Sequence, residues 1–361
     1  MITKTHLARL KEKLAATDAG AIIINSEINQ TWVSDFEFTD GYVLVTRENA
    51  YVITDFRYTE AAEAALSSDF KISAPKSMYD EISAILKSEG VDALMYEEET
   101  LSVASFNALE KKLTGVKYYV GGGSKLLDGL REYKDEGELE LMARAQDIAD
   151  AAFAHMLKTM TPEMTEIDVA LELEFFMRKN GATSSSFSTI AVSGSASSLP
   201  HGVPRNVKLQ KGFFTMDFGA LYKGYCSDMT RTVVLGKADA DMKKLYDTVL
   251  KAQLAGVENA RPGMSCRGLD KIARDIIYEA GYEGCFGHGL GHGVGRYIHE
   301  APRVSFAAPE DRVLEVGQVI TCEPGIYIAG KYGCRIEDML AITEDGCRNF
   351  AHSPKELIEL F

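Results

Sequence analysis

Glycine alternates with histidine and apolar residues over one short stretch of the sequence, CFGHGLGHGVG, from position 285 to 295. His288 and His292 lie in it, and His299 follows shortly after. Each interior glycine costs a helix roughly 1 kcal/mol relative to alanine, so the stretch favours an extended backbone. In that conformation His288, Leu290 and His292 share one face and the other face carries only glycine. A face without side chains lets a second backbone approach closely.

Two kinds of binding site combine glycine with polar groups. A glycine-rich loop can hold phosphate through its backbone amides, but the spacing here matches neither G-x-G-x-x-G nor the Walker sequence. Imidazoles can instead bind a transition metal or donate hydrogen bonds to a substrate. A packed histidine is the ordinary explanation for a single residue, and it accounts less well for three in one stretch. The pattern therefore favours metal and substrate binding.

Two aspartates lie on a predicted β-hairpin, FFTMDFGALYKGYCSDMTRTVVLG. A two-residue turn at Lys223 and Gly224 sets Asp217 opposite Thr230. Asp228 is then on the same face, two residues away, which makes the two carboxylates diagonal cross-strand neighbours. Both could be solvated strand residues, but the apolar run around Asp217 favours burial. Buried like charges repel unless a cation or a proton lies between them, so the hairpin predicts a shared cation.

Two glutamates in apolar stretches extend this acidic set, Glu323 in CEPG and Glu337 in RIED. Arg335 could pair with Glu337, but one arginine does not neutralise four carboxylates. Carboxylates together with imidazole suit Mn²⁺, Co²⁺, Fe²⁺ or Zn²⁺ better than Ca²⁺ or Mg²⁺. Shared carboxylates predict two metal ions roughly 3.5–4 Å apart. A water bridging them would be hydroxide near neutral pH and could attack a carbonyl, with the remaining histidines donating to the oxyanion.

The elements that position these residues fall into two parts. A chain of 361 residues exceeds the usual size of one hydrophobic core, so two domains are expected. Strands and helices alternate in the first part, which predicts an α/β domain over residues 1–125. A glycine triplet at 121–123 and the charged segment after it predict the boundary. Longer helices and blocks of mostly antiparallel strands then predict an α+β domain over residues 126–361.

Composition excludes several classes of partner. A net charge of −14 argues against nucleic acid and against an anionic membrane surface. No apolar stretch approaches the roughly 18 residues of a membrane span, and the N-terminal segment lacks the apolar region of a signal peptide. Six scattered cysteines without a Cys-x-x-Cys motif are typical of a reduced protein. A cytoplasmic location is therefore predicted.

The order of these motifs resembles a known family. D-x₁₀-D, GHGxGHGxG with a following HE, EPGIY and RIED resemble the metallopeptidases of the pita-bread fold, family M24, which include methionine aminopeptidase, aminopeptidase P and prolidase. LPHG and HEAPRVS are similar to the prolidase and aminopeptidase P branch. TDFRY in the first part resembles a creatinase-type N-terminal domain. The resemblance implies a pita-bread catalytic domain at 126–361 preceded by a creatinase-like α/β domain at 1–125.

The resemblance also implies a role for each candidate residue. Five positions match the family's ligands to two divalent ions, most often Mn²⁺ with Co²⁺ or Zn²⁺ as alternatives: Asp217, Asp228, His292, Glu323 and Glu337. Asp228 and Glu337 match the bridging pair, and Glu323 also matches the residue that helps to activate the nucleophilic water. Three further positions match the histidines that contact the substrate and transition state: His201, His288 and His299. Arg303 and Arg335 match substrate-side arginines.

A proline-containing peptide is the substrate that this resemblance implies. Xaa-Pro dipeptide hydrolysis by a metal-bridging hydroxide is favoured, because Arg303 matches an arginine that holds the proline carboxylate in prolidases. An Xaa-Pro aminopeptidase acting on longer peptides is the alternative, and a homodimer is expected. Non-catalytic binding proteins of this fold and creatinase-like hydrolases lack the metal ligands, which this chain keeps. Cys322 and Cys334, beside the site, are either small buried residues or targets of oxidation.

Overall fold

The computed structural model describes residue 2 and residues 4–361, and it divides the chain into two compact units between Arg131 and Glu132. The expected boundary at 125/126 falls inside a helix, Gly123–Arg131. Gly122 has a φ of 95° and directly precedes that helix, and a Cβ on Gly123 would lie 2.3 Å from the Tyr96 carbonyl oxygen. The glycine triplet therefore begins a helix and does not form a linker. Within the described residues, no helix is long and apolar enough to cross a membrane.

The N-terminal unit is a six-stranded mixed sheet with the strand order β4-β3-β2-β1-β5-β6. β1 is antiparallel to β2 and parallel to β5. The strands are β1 (Ala21–Ile24), β2 (Gly41–Thr46), β3 (Ala50–Thr54), β4 (Phe70–Ser73), β5 (Ala93–Tyr96) and β6 (Tyr118–Val120). The helices are α1 (His6–Ala15), α2 (Glu27–Ser34), α3 (Phe56–Ala65), α4 (Met78–Ser88), α5 (Val103–Lys112) and α6 (Gly123–Arg131).

Side chains of the central strand β1 point alternately into two hydrophobic cores. Ile22 and Ile24 pack in one core, and Ala21 and Ile23 pack in the other. Because successive residues of a strand face opposite sides, a fully apolar strand requires cover on both faces of the sheet. The alternation of strands and helices confirms the predicted α/β architecture of this part of the chain.

The C-terminal unit combines four long helices with fourteen strands, which confirms the predicted α+β architecture. The helices are α7 (Glu136–Thr159), α8 (Glu166–Lys179), α9 (Ala240–Asn259) and α10 (Cys266–Glu279), and Gly194–Ser198 forms a 3₁₀ turn. The strands are β7 (Ser184–Ser185), β8 (Ile190–Ser193), β9 (Gly212–Phe218), β10 (Ala220–Tyr222), β11 (Tyr225–Cys226), β12 (Met229–Leu235), β13 (Gly291–Gly293), β14 (Glu300–Val304), β15 (Val319–Cys322), β16 (Gly325–Ile328), β17 (Tyr332–Arg335), β18 (Asp338–Ile342), β19 (Cys347–Asn349) and β20 (Glu359–Leu360).

This unit contains two similar halves. Thr165 caps α8 through its hydroxyl, and Ser265, one hundred residues later, caps α10 in the same way. Each cap residue also forms an isolated β-bridge, Thr165 with Lys208 and Ser265 with Val313. Three antiparallel strands run in the order β8-β9-β12 in the first half and β13-β15-β18 in the second. Because corresponding residues of the two halves lie about one hundred positions apart, a search for short sequence repeats does not detect them.

Candidate active site

One cavity of about 700 Å³ in the C-terminal unit gathers every site residue that the sequence predicted. The residues in question are His201, Asp217, Asp228, His288, His292, His299, Arg303, Glu323, Arg335 and Glu337. They come from seven strands or their ends and from the segments between them. Convergence of distant segments on one concave surface is what a catalytic or binding site requires.

Glycines around β13 lie against neighbouring backbone, as the alternating pattern predicted. A Cβ on Gly291 would lie 2.0 Å from the Thr321 carbonyl oxygen, and a Cβ on Gly293 would lie 2.0 Å from that of Ala301. Real Cβ atoms do not approach oxygen so closely. Glycine at these two positions therefore allows the strand that carries His292 to pack between its neighbours.

The single extended face predicted for this stretch is wrong. Only Gly291–Gly293 forms a strand, and its pairing with β14 shifts register between His292 and Gly293. Leu290 is fully buried in a hydrophobic core, whereas His288 and His292 line the cavity. The bulge and the short strand let the chain turn its polar side chains and its apolar side chains in different directions.

The aspartate hairpin forms with the register that was predicted. Asp217 on β9 is opposite Thr230 on β12, and the hairpin turns at Lys223 and Gly224. Asp228 lies just before β12, and both aspartates are buried. Lys223 and Gly224 both have positive φ, 47° and 80°, as the tight turn requires.

Three of the predicted ligands form a compact group that fits a metal ion. One candidate ligand atom from each of Asp228, His292 and Glu337 lies within 4.8 Å of the others. His292 Nε2 lies 3.3 Å from Glu323 Oε1 and 3.6 Å from Asp228 Oδ2. Asp217 Oδ1 is buried without a hydrogen-bond partner among the described residues, although Oδ2 accepts from Arg335 at 2.6 Å. An unpartnered buried carboxylate oxygen is a ready metal ligand.

The charge at this group is strongly unbalanced. Burial, followed by the neighbouring carboxylates, raises the pKa of Asp228 and of Glu337 well above their usual values. Burial likewise raises the pKa of Glu323 to about 7, although Arg335 opposes the shift. Buried carboxylates in such contact need cations or protons between them. Divalent ions would supply that charge, so the residues fit the metals that the motifs imply.

His292 presents the nitrogen that a metal ligand needs. Its Nδ1 lies 3.0 Å from the Gly293 carbonyl oxygen, which can only accept, so Nδ1 carries the proton. Burial lowers the pKa of His292 to about 3, and the ring is therefore neutral. The Nε2 lone pair is left facing the carboxylates. A backbone carbonyl that fixes the tautomer in this way is typical of metal-binding histidines.

Tyr327 connects His288 to Arg335, a role that sequence reasoning missed. Arg335 Nη1 donates to the Tyr327 hydroxyl at 2.7 Å, and His288 Nε2 lies 3.0 Å from the same oxygen. Nδ1 of His288 lies 2.8 Å from the Gly289 carbonyl oxygen and must donate to it. Tyr327 consequently donates its own proton to Nε2. The motif EPGIY contained this residue, but nothing in its spacing indicated the contact.

Thr230 is the second residue that the sequence analysis did not assign to the site. Its hydroxyl donates to Glu337 Oε2 at 2.6 Å and accepts from Arg335 Nε at 3.0 Å. The hairpin register had identified Thr230 only as the residue opposite Asp217. Thr230 thereby orients a predicted bridging carboxylate relative to the arginine.

Tyr327→Phe is expected to lower the rate of peptide hydrolysis roughly 10-fold to 100-fold while leaving the bound metal unchanged. The phenyl ring keeps the packing, but Arg335 loses an acceptor and His288 loses its donor. Steady-state kinetics together with metal analysis of the purified variant test this. Tyr332→Phe is the control, since Tyr332 lies on the neighbouring strand outside the cavity lining. A Tyr327→Phe enzyme with the wild-type rate would contradict the role.

The remaining predicted residues lie around this centre. The rings of His299 and His292 meet edge to face with centroids 4.4 Å apart. Arg303 is the register partner of His292 on β14, and its side chain is exposed. His201 is exposed on the segment that follows the 3₁₀ turn, where it lines the cavity. The structure thus brings all three into the same cavity as the carboxylates.

The two cysteines beside the site are fully buried. Burial raises the pKa of Cys322 well above its usual value, and it does the same for Cys334. Cys322 Sγ lies 3.7 Å from the Gln253 carbonyl oxygen, and a Cβ on Gly256 would lie 2.5 Å from it. Protonated, tightly packed thiols of this kind are inert. The geometry favours the first of the two sequence interpretations, small buried residues.

Sequence comparison adds the family to this geometry. Residues 140–344 match the model of metallopeptidase family M24, and residues 6–133 match that of the creatinase/prolidase N-terminal domain. The chain belongs to metallopeptidase family M24. The predicted resemblance to the prolidase and aminopeptidase P branch is confirmed, and the protein is a metallopeptidase.

Relatives of this M24 metallopeptidase match it over nearly its full length. An uncharacterized peptidase of Bacillus subtilis is 39% identical, and the match covers 98% of this chain and 99% of the Bacillus subtilis chain. The Xaa-Pro dipeptidase of Pyrococcus horikoshii is 36% identical, with 99% of each chain covered. The structure of an Xaa-Pro dipeptidase from Bacillus anthracis is 41% identical with a TM-score of 0.93, covering 98% of this chain and 99% of that one. An X-Pro aminopeptidase structure from Thermotoga maritima is 33% identical with a TM-score of 0.90, and the match covers 97% of this chain and 99% of that one.

Proposed function

We propose that this metallopeptidase hydrolyses Xaa-Pro peptide bonds, with two divalent ions held by the cluster of buried carboxylates and His292. The observation that carries the proposal is this cluster, with its unpartnered Asp217 oxygen, at the cavity of a chain whose full-length relatives are named for Xaa-Pro bonds. Asp217, Asp228, His292, Glu323 and Glu337 would hold the ions, and Asp228 and Glu337 would be shared between them. Mn²⁺ is the proposed metal, with Co²⁺ and Zn²⁺ sharing its ligand preferences.

Side chains of the cavity would accept the proton of the attacking water and stabilise the charge that develops on the substrate. When bound, two divalent ions supply Lewis acidity and a water of lowered pKa. Glu323 is placed to take the proton of the attacking water, because its carboxylate lies among the predicted ligands. His201 and His299 line the same cavity and would donate hydrogen bonds to the substrate carbonyl as negative charge develops on it. His288 would act together with Tyr327 and Arg335, to which it is joined by hydrogen bonds.

Preference for proline has a simple physical basis. An Xaa-Pro bond is a tertiary amide without an N–H group, so the site needs no acceptor for that hydrogen. A site without such an acceptor would leave the N–H of an ordinary peptide bond unpaired, which is costly in a desolvated cavity. Removal of metal by chelation should abolish Xaa-Pro hydrolysis and addition of Mn²⁺ should restore it. Activity that survives complete chelation would contradict the proposal.

Dipeptides are the proposed substrates, because a dipeptide places the proline carboxylate one residue beyond the scissile bond, where a cation is needed. Arg303 lines the cavity beside His292, and a guanidinium binds a carboxylate through two parallel hydrogen bonds. The specific observation that favours the alternative is the close match to an X-Pro aminopeptidase structure. An aminopeptidase would act on longer peptides, in which proline has no free carboxylate.

We also propose that the protein is a cytoplasmic homodimer, on the basis of the family resemblance.

Arg303→Ala is expected to lower kcat/KM for Xaa-Pro dipeptides by about 30-fold or more, which corresponds to about 2 kcal/mol for a truncated charge pair. Cleavage of the amidated substrate Xaa-Pro-NH₂ should be slow in the wild type and change little, which makes it the matched control. Kinetics on dipeptide, amide and Xaa-Pro-Yaa tripeptide decide the question. If the wild type prefers tripeptides and Arg303→Ala leaves dipeptide cleavage unchanged, the proposed activity is that of an Xaa-Pro aminopeptidase and not of a dipeptidase.

A further inference from the structure

His201 lies on a segment that forms one wall of the cavity between β8 and β9. Residues 200–204 all line the cavity, and the Val203 side chain is 76% exposed. The segment begins after Ser193, the last residue of β8, and Arg205 follows its last cavity residue. The 3₁₀ turn Gly194–Ser198 at the start of the segment is largely buried, and Ser197 Oγ accepts a hydrogen bond from the Gly333 N–H at 3.0 Å. His201 and Val203 beyond the turn are exposed, so the position of residues 199–204 depends on how their two ends are held.

A single carboxylate joins the two ends of this segment. Glu166, the first residue of α8, is fully buried. It accepts hydrogen bonds from the backbone N–H and the hydroxyl of Ser193, both at 2.8 Å. It also accepts from the backbone N–H, Nε and Nη2 of Arg205, at 3.0, 2.8 and 2.6 Å. Both ends of the His201 segment are thereby attached to one rigid helix terminus.

These contacts outweigh the cost of burying the charge. Burial alone would raise the pKa of Glu166, but the hydrogen bonds from Arg205 and Ser193 lower it below its usual value. The carboxylate is therefore ionised and fully paired. A two-point contact between a guanidinium and a carboxylate fixes direction as well as distance, which a single hydrogen bond would not do.

We propose that Glu166 and Arg205 are positioning residues that hold His201 at the cavity, an inference that rests on the proposed function of His201 as a substrate-binding histidine. Arg335 Nη1 donates to the Pro200 carbonyl oxygen at 3.4 Å, so the segment also contacts an arginine of the predicted site next to His201. Glu166 restrains the two ends of the segment through Ser193 and Arg205.

The test compares Arg205→Ala with the wild type in two independent measurements. Amide hydrogen exchange of residues 199–204, beyond the buried 3₁₀ turn, should become about tenfold faster or more, because the Arg205 end of the segment is released. The kcat/KM for an Xaa-Pro dipeptide should fall roughly 10-fold to 100-fold with unchanged metal content, the range seen when a supporting contact of a site residue is lost. Arg205→Lys, which keeps one charged donor, should recover part of the rate.

A double-mutant cycle with His201→Ala separates positioning from general stability. In the His201→Ala background, or His201→Gln if alanine leaves no measurable rate, Arg205→Ala should change the rate less than about twofold. Arg267→Ala is the matched control, because Arg267 has a similar exposure of 41% and pairs with Glu310 at 3.0 Å away from the cavity. Effects that multiply in the cycle, an unchanged rate in Arg205→Ala, or an unchanged rate in His201→Ala would overturn the proposal. Failure of the wild type to cleave Xaa-Pro bonds would refute the proposed function, and hydrogen exchange would still decide whether Glu166 and Arg205 order the segment.

Discussion

Asp228→Asn is expected to lose both metal ions and about 10³-fold or more of the Xaa-Pro hydrolysis rate. Asp228 is one of the two proposed shared ligands, and it lies within the compact group with His292 and Glu337. The amide is nearly isosteric with the carboxylate but carries no charge, so it would no longer supply negative charge to either of the two proposed ions. Several kcal/mol of transition-state stabilisation depend on the metals, and each 1.4 kcal/mol is tenfold in rate. Metal analysis and steady-state kinetics on the same preparation test the expectation.

The same substitution should change stability in opposite directions with and without metal. In metal-free protein, burial and the nearby carboxylates oppose the charge of Asp228, so its removal should raise Tm. With metal present, the variant should have a lower Tm than the wild type, because it no longer gains the binding free energy of the metal ions. His299→Ala is the control, expected to keep its metal and to lose on the order of 10²–10³-fold of the rate. Wild-type metal content and rate in Asp228→Asn would contradict the two-metal site.

Gly293→Ala is expected to disrupt the site without altering any polar side chain. The new Cβ would lie 2.0 Å from the Ala301 carbonyl oxygen and 2.4 Å from its carbon, so β13 and β14 must separate. Overpacking of this kind costs about 1–3 kcal/mol or more of the free energy of unfolding. It also displaces His292, the adjacent residue, so metal affinity should fall by roughly 10-fold to 100-fold. Urea unfolding and metal titration measure the two effects.

Gly287→Ala provides the control from the same glycine run. A Cβ there would meet no atom of the described residues within 4 Å, and this glycine is not among those with positive φ. Its stability and metal affinity should therefore stay close to those of the wild type. If Gly293→Ala binds metal and unfolds like Gly287→Ala, then close backbone approach is not the reason for glycine at position 293.

Features that depend on counting along the chain could be predicted from the sequence. The hairpin register that sets Asp217 opposite Thr230 follows from a two-residue turn and the alternation of strand residues. The capping box of Thr165 and Asp168 at the start of α8 fits the Ser/Thr-x-x-acidic pattern of a helix start. Both are local rules in which neighbours in sequence are neighbours in space.

Features that depend on which distant segments meet could not be predicted in this way. The hydrogen bonds from Arg335 to Tyr327 and Thr230 join three strands, and no spacing rule indicates them. The sequence does not indicate the role of the Glu166 carboxylate, because its hydrogen-bond partners lie 27 and 39 residues further along the chain. Leu290 packs in a hydrophobic core and therefore does not share a face with the histidines. The alternation of residue types alone does not indicate that contact.

The two similar halves of the C-terminal unit are what tandem duplication of an ancestral half-domain, followed by divergence, would leave behind. At corresponding positions the first half has Glu166 at the start of α8, and the second has Cys266 at the start of α10. Ser193 ends β8 in the first half, where Gly293 ends β13 in the second. The two copies thus present a histidine-bearing segment to one cavity by different means. In the first half the proposed anchor is the ion pair of Glu166 and Arg205, and in the second it is close backbone contact at Gly293, so substitutions at corresponding positions should have different effects in the two halves.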